Sequence, residues 1–218
     1  MTRIVCTSDT HSKHKQVPIP DGDIFIHAGD LTPRGNHNEF ISVGNWFHKL
    51  KDQFKHRIFI AGNHDFSLMW NNRMILTNYF DPDVIYLEDS GVELEGLRFY
   101  GSPWMPWFHQ WAFMKHDHEL KSHWDAIPDD TDVLITHCPP YDILDMESEP
   151  RRCGSETLRD RVMQLIGQKH DDFGLKHHVF GHIHEAYGQK TIGTVSFHNV
   201  CALNGEYKYQ NPPQVFDL

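Results

Sequence analysis

Cysteine is scarce in this sequence. Cys6, Cys138, Cys153 and Cys201 are the four thiols among 218 residues, and no two fall at C-x-x-C spacing. So thin a supply excludes a disulfide scaffold at this length, and the four read as reduced thiols. Long apolar runs are missing as well: no stretch approaches the roughly 20 residues of a membrane span. The start Met1-Thr2-Arg3-Ile4-Val5 also lacks the layout of a signal peptide. Both absences point to a cytoplasmic protein with no membrane partner. Positive charge is short too, with 20 Lys and Arg against 30 Asp and Glu and a formal charge of -10. A surface of that sign repels phosphates, which excludes general nucleic-acid binding unless a local patch or a metal reverses it. There is no internal repeat, low-complexity tract or Gly-, Ser- or Pro-rich linker. The expectation is one domain over residues 1–218, with the oligomeric state left open.

What is present is ordinary globular material, 39% hydrophobic and 23% charged. Short runs rich in β-branched residues recur at 3–7, 23–27, 57–61, 132–136 and 177–180. Their nearly continuous apolar character suits strands buried on both faces. Between them, Phe40, Val43, Trp46, Phe47 and Leu50 fall at helical spacing, as do Leu158, Val162, Leu165 and Ile166. Strand and helix alternate, which indicates α/β layering. Strand-like segments at 84–87, 92–94, 97–100, 194–200 and 215–218 suggest hairpins and a second sheet. The stretch from Pro139 to Gly154, with Pro140 and Pro150 inside it, reads as a long surface loop, and Ser155 as the N-cap of the helix that follows.

Histidine is the compositional exception, at 18 residues. It is the commonest metal ligand and titrates near neutrality. Each buried-strand candidate stops at a small polar turn loaded with ligand-type residues: Ser8-Asp9-Thr10-His11, Gly29-Asp30, Gly62-Asn63-His64-Asp65, Thr136-His137 and Gly181-His182-Ile183-His184. Taken singly, each has a plain structural explanation as a turn, a cap or a surface histidine. Nothing in those explanations requires all five to sit at the same end of successive strands. In open α/β sheets ligands bind at the carboxyl ends of strands, so the pattern predicts one crevice fed by all five.

Together these motifs resemble the calcineurin-like metallophosphoesterases, whose pattern runs D-x-H, G-D, G-N-H-[DE], H and G-H-x-H. The match spans residues 8–184. The segments Gly101-Ser102-Pro103-Trp104-Met105-Pro106-Trp107-Phe108 and Asn211-Pro212-Pro213-Gln214-Val215-Phe216-Asp217-Leu218 are similar to the branch with the animal brain-type metallophosphoesterase-domain proteins and their bacterial and phage relatives. The resemblance implies an α/β fold, a four-layer αββα sandwich of two mixed β-sheets flanked by helices, with two divalent ions at the strand ends. Asp9, His11 and His184 would hold the first ion, and Asn63, His137 and His182 the second. Asp30 would bridge both. Mn²⁺ is the metal the resemblance favours, while the mixed imidazole, carboxylate and amide set also suits Fe and Zn²⁺. His182 matters because some animal members of the branch carry Gly there. Cys138 stands where many relatives have Gly, so a stray soft ligand or oxidation-sensitive thiol beside His137 is a minor alternative.

The implied reaction is hydrolysis of a small phosphodiester, a cyclic nucleotide among the candidates, by a metal-bridging hydroxide. His64 would act as general acid toward the leaving oxygen and Asp65 would orient it. For substrate contacts the candidates are Trp104, Trp107 and His109 in a ring-rich stretch that also holds Phe108, Trp111 and Phe113, together with Arg34, Arg151 and Arg152. Rings that stack on a nucleobase would favour a nucleotide substrate; filling a loop core is their commoner role. Arg34 sits four residues after Asp30, the spacing of a phosphate-binding arginine in phosphoprotein phosphatases. That spacing motivates an alternative, phosphomonoesterase or phosphoprotein phosphatase. A non-catalytic interaction platform is the third reading, which the complete ligand set disfavours. The pairs His116/His118 and His177/His178 read as surface or supporting residues.

Overall fold

Successive strand residues point to opposite faces of a sheet, and here that alternation builds the layers. The computed structural model describes residues 1–148, 150–167 and 174–218. The chain runs through β1 (Arg3–Thr7), β2 (Ile24–Ala28), α1 (His37–Lys49), β3 (His56–Ile60), α2 (Phe66–Tyr79) and β4 (Val84–Tyr86). Next come β5 (Ser90–Leu94), β6 (Leu97–Ser102), β7 (Met105–Pro106), β8 (Met114–Lys115), α3 (Asp117–Asp125) and β9 (Val133–Thr136). The last part holds β10 (Met146–Ser148), β11 (Arg151–Arg152), α4 (Glu156–Gly167), β12 (His177–Phe180), β13 (Gly188–Ile192), β14 (Val195–Asn199) and β15 (Gln214–Asp217).

One sheet has the order β15-β1-β2-β3-β4 and the other β13-β14-β12-β9-β6-β5. The inner strands of both are parallel, and β15, β13 and β5 run antiparallel to their neighbours, so both sheets are mixed. In the first sheet Val5, Phe25 and Phe59 turn outward onto Phe40, Val43 and Phe47 of α1 and Leu68 and Ile75 of α2. Their neighbours Ile4, Cys6, Ile24, Ile26, Ile58 and Ile60 turn inward and meet Phe99, Val133, Ile135 and Val179 of the second sheet. Leu134, Phe180 and Phe197 face outward again, onto Leu120 and Trp124 of α3 and Leu158 and Val162 of α4. Three cores thus separate four layers, the αββα sandwich that the motifs imply.

Local signals start the helices. Asn36 and Glu39 form a reciprocal capping box at α1. Ser155 caps α4, its hydroxyl accepting from the Leu158 N–H at 3.0 Å.

Several local expectations are corrected. The 84–87 segment forms no hairpin but joins β3 in parallel, and 215–218 pairs with β1 at the edge of the first sheet. The stretch 139–154 is not simply a surface loop. Pro139, Pro140, Ile143 and Asp145 are buried in it, and β10 pairs with β11; Glu149 lies outside the described residues. The buried Asp145 carboxylate accepts from the Asp142 and Gly154 N–H groups and the Arg152 guanidinium, which folds this stretch back on itself. No helix is long and apolar enough to cross a membrane among the described residues.

The carboxyl ends of β1, β2, β3, β9 and β12 meet at one edge of the sandwich. The two sheets are stitched there: the Ser8 N–H donates to the Val200 carbonyl and the Ala202 N–H to the Ser8 carbonyl.

Candidate metal centre

Backbone hydrogen bonds tie the strand-end turns in pairs and the Asn63 turn to the ring-rich loop. The Asp9 N–H donates to the Gly29 carbonyl, His11 N–H to Asp30, Gly181 N–H to His137 and Ala112 N–H to Asn63, all at 2.9–3.1 Å. Close approach then demands small residues. A Cβ on Gly62 would lie 2.2 Å from Asp30 Oδ1, and one on Gly181 would lie 2.1 Å from Asp9 Oδ2. Asp9, His11, Asp30 and His182 have φ of 52°, 40°, 55° and 70°, a left-handed region that non-glycine residues seldom occupy. Strain of this kind persists where the surroundings over-determine the backbone, commonly at functional sites.

The turns bring Asp9, His11, Asp30, Asn63, His137, His182 and His184 together. Asp30 is central. Its Oδ1 accepts the His64 N–H at 2.8 Å, and its Oδ2 faces His11 Nε2 at 3.7 Å, His137 Nε2 at 3.5 Å and His64 Nε2 at 3.9 Å. Asp9 divides its oxygens in the same way. Oδ2 accepts from the Ser8 hydroxyl, the His182 N–H and the Cys201 thiol, while Oδ1 lies 3.4 Å from His184 Nε2. Asn63 Oδ1 is 3.0 Å from His137 Nε2, and the His137 and His182 rings are 5.2 Å apart. Two ligand atoms that share an ion at about 2.1 Å sit roughly 3–3.5 Å from each other, close to these gaps.

Orphaned atoms support the same conclusion. Asp9 Oδ1 and both ring nitrogens of His11 are buried without a hydrogen-bond partner. Each such atom costs about 1–3 kcal/mol unless something else satisfies it. Three in one cluster of imidazoles and carboxylates fit a divalent cation. His137 and His184 are ready as ligands in tautomer terms: each faces a carbonyl through Nδ1, Ala28 and Asn204 respectively, both at 3.0 Å, which leaves Nε2 toward the centre.

Charge follows geometry. Burial disfavours a charged His137, but Asp30 outweighs it and raises the imidazole to about 9; Asp9 likewise raises His184 to about 9 against burial. Burial lowers His11 to about 4 and His182 to about 3. Burial resists ionisation of Asp9 and Asp30 too, yet the surrounding imidazoles hold both well below the usual carboxylate range.

One expected role is corrected. Asp65 does not orient His64. Its carboxylate accepts from the N–H groups of Leu31, Thr32 and Gly62 and from the Thr32 hydroxyl, tying the β2 and β3 turns together. Burial and the neighbouring Asp30 charge push the Asp65 carboxyl up to about 7, against those donors. His64 is instead held through Nδ1 by the Pro33 carbonyl at 2.8 Å, and Trp111 covers its ring at 4.3 Å.

A cleft of about 600 Å³ opens over the cluster. Its lining includes Trp107, Phe108, His109 and Trp111, the two arginines Arg151 and Arg152, and Glu185 and Tyr207. Phe108 approaches His182 to 5.7 Å. Trp104 does not line it: the indole N–H donates to Asp89 at 2.9 Å, the ring packs on His123 and Lys115 lies over it. Phe113 is buried in the core beneath α2. Arg34 is exposed and outside the cleft lining, its N–H taken by Glu39 in the α1 cap. Arg152 is engaged by Asp142 and Asp145, whereas Arg151 pairs with the half-buried Glu147 alone among the described residues. Cys138 is buried in the core under α3 and α4, its thiol directed at the Trp104 carbonyl rather than at His137. Cys201 and Tyr207 were not singled out by the sequence. Cys201 carries no motif, and for Tyr207 the available signal was the turn pair Asn204-Gly205 just before it.

Comparison with known proteins agrees with this geometry. A sequence model described as Calcineurin-like phosphoesterase matches residues 2–186. The chain is 37% identical over 240 residues to "Metallophosphoesterase domain-containing protein 1" of Homo sapiens, covering 100% of this chain and 71% of the relative. It is 33% identical to "UPF0046 protein K07C11.7" of Caenorhabditis elegans, covering 98% of this chain and 74% of the relative. With "UPF0046 protein T07D4.2" of the same organism it shares 31% identity over 99% of this chain and 60% of the relative.

Proposed function

Because the chain belongs to the calcineurin-like phosphoesterase family and so to the metal-dependent phosphoester hydrolases, we propose that it is a binuclear phosphodiesterase acting on a small phosphodiester, a cyclic nucleotide in the first instance. The observation that carries the binuclear reading is Asp30 Oδ2, which faces His11 on one side and His137 on the other at 3.7 and 3.5 Å. A carboxylate so placed suits the shared ligand of two ions. In this proposal Asp9 Oδ1, His11 and His184 hold one ion, Asn63 Oδ1, His137 and His182 the other, and Mn²⁺ is the favoured metal. When bound, the pair polarises the phosphoryl group and supplies hydroxide at neutral pH.

The chain's own residues do the rest. His64 keeps Nδ1–H on the Pro33 carbonyl, so Nε2 can hold and release a proton toward the leaving oxygen without the ring turning. Trp107, Phe108 and Trp111 in the cleft lining offer flat apolar faces for a base, and Trp111 covers the His64 ring at 4.3 Å. A diester carries one charge fewer than a monoester and needs fewer cations. The cleft suits that demand, with Arg152 engaged by two carboxylates and Arg34 outside the lining.

The test compares a chromogenic diester with its monoester at equal leaving-group pKa, after chelation and after Mn²⁺ return. Diester turnover should vanish with the metal, return with it and exceed that of the monoester. Faster monoester cleavage would overturn the diester reading.

A further inference from the structure

We propose that Tyr207 is a positioning residue for His11 and His184, its ring setting the angle at which the two imidazoles face an ion. The inference rests on the metal-centre reading above. Metal-binding histidines ordinarily have their second ring nitrogen held by a carbonyl or carboxylate, which fixes the plane of the ring. His137 and His184 have such a carbonyl. His11 does not: neither nitrogen has a hydrogen-bond partner, although the residue is only 5% exposed. Rings surround it instead. His64 lies edge-on at 4.6 Å, His184 tilted at 5.5 Å and Tyr207 edge-on at 5.0 Å and 67°. Tyr207 meets His184 almost identically, at 5.1 Å and 64°. One phenol ring therefore abuts both imidazoles assigned to the first ion.

The backbone that presents this ring is strained and braced. Tyr207 has φ of 57°, unusual for a bulky side chain. The residue is 45% exposed, so burial alone gives the chain little reason to tolerate that conformation. The turn is fixed around Asn204, whose carbonyl accepts both His184 Nδ1–H at 3.0 Å and the Tyr207 N–H at 2.8 Å. Its side-chain oxygen accepts the N–H groups of Glu206 and Lys208, each at 3.0 Å. The Lys13 ammonium, close in sequence to His11, donates to the Tyr207 carbonyl. A single peptide carbonyl thus sets both the His184 tautomer and the placement of Tyr207. A backbone outlier held this firmly and aimed at two candidate ligands is a device for orientation.

The experiment is calorimetric titration of the full, metal-stripped chain with Mn²⁺, for wild type, Tyr207→Phe, Tyr207→Ala and Tyr207→Gly, with metal-free Tm recorded beside it. The Phe variant keeps the ring and should bind within about twofold of wild type. The Ala and Gly variants should weaken one of two ions by about 10–100-fold, the range for lost supporting contacts. Glycine accepts positive φ freely, so its metal-free Tm should not fall. Ala and Gly variants that bind Mn²⁺ like wild type would overturn the inference, as would a Phe variant as weak as Gly. A metal-free Tm that drops in step with affinity would make Tyr207 merely structural and overturn it too. Wild type taking up no Mn²⁺ would sink the metal-centre reading itself, and this inference with it.

Discussion

Asp65 and His64 stand next to each other in the chain, yet their side chains serve different neighbours. The carboxylate gathers four donors from turns around it, and the imidazole leans on Pro33 and Trp111. Asp65→Asn therefore puts an amide NH₂ against a donor and should lower unfolding free energy by about 1–3 kcal/mol in urea titration. His64→Ala should leave stability close to wild type while cutting turnover of a diester with a poor leaving group by about 10²–10⁴, and that of a p-nitrophenyl diester far less. Equal losses on both substrates would remove the general-acid role. The candidate ligands were legible because each motif is local, a few residues at a strand end. The partner of Asp65 was not, since its donors Leu31 and Thr32 lie 34 and 33 positions away.

At the scale of elements, the buried strands announced themselves through β-branched runs, and α1 through a clear apolar stripe. α2 did not. Trp70 and Met74 are exposed on it, and Asn71 breaks the helical backbone at φ -146°, so its apolar residues describe no single face. α3 is nine residues long with Leu120 and Trp124 as its buried positions, too few to set a period. Which sheet received β4 and β15 was equally hidden, because strand pairing joins residues remote in sequence. Packing between α1 and α2 allows a direct check: a Cβ on Gly44 would lie 1.8 Å from the Tyr79 carbonyl oxygen. Gly44→Ala should therefore cost about 1–3 kcal/mol, visible as a lower Tm, despite alanine's better helix propensity. An unchanged or raised Tm would mean that the helices part without penalty.

Over the whole molecule, histidines with opposed surroundings shape stability against pH. Burial lowers His27 and His178 to about 3, so below about pH 6.5 the unfolded chain takes up protons that the folded chain refuses, and stability falls with pH. Each contributes about 1.4 kcal/mol per pH unit between those limits. His137 and His184 work the other way in the metal-free chain. Raised to about 9, they add stability that is full below about pH 6.5 and lost as pH climbs toward 9. Urea unfolding of metal-free protein from pH 5 to 9 should therefore show a maximum near neutrality. His178→Asn should flatten the acid limb, and a limb left as steep as in wild type would reject this assignment.

The same scale explains how a chain of formal charge -10 can serve a phosphate ester. Two divalent ions set against Asp9 and Asp30, with otherwise neutral ligands, would leave the cleft positive on an acidic surface. Elemental analysis of protein stripped by chelator, reloaded with Mn²⁺ and freed of excess metal tests this most directly. Two ions per chain in wild type and one in Asn63→Ala are expected; a wild-type chain that retains one ion or none would contradict the shared-carboxylate centre at Asp30.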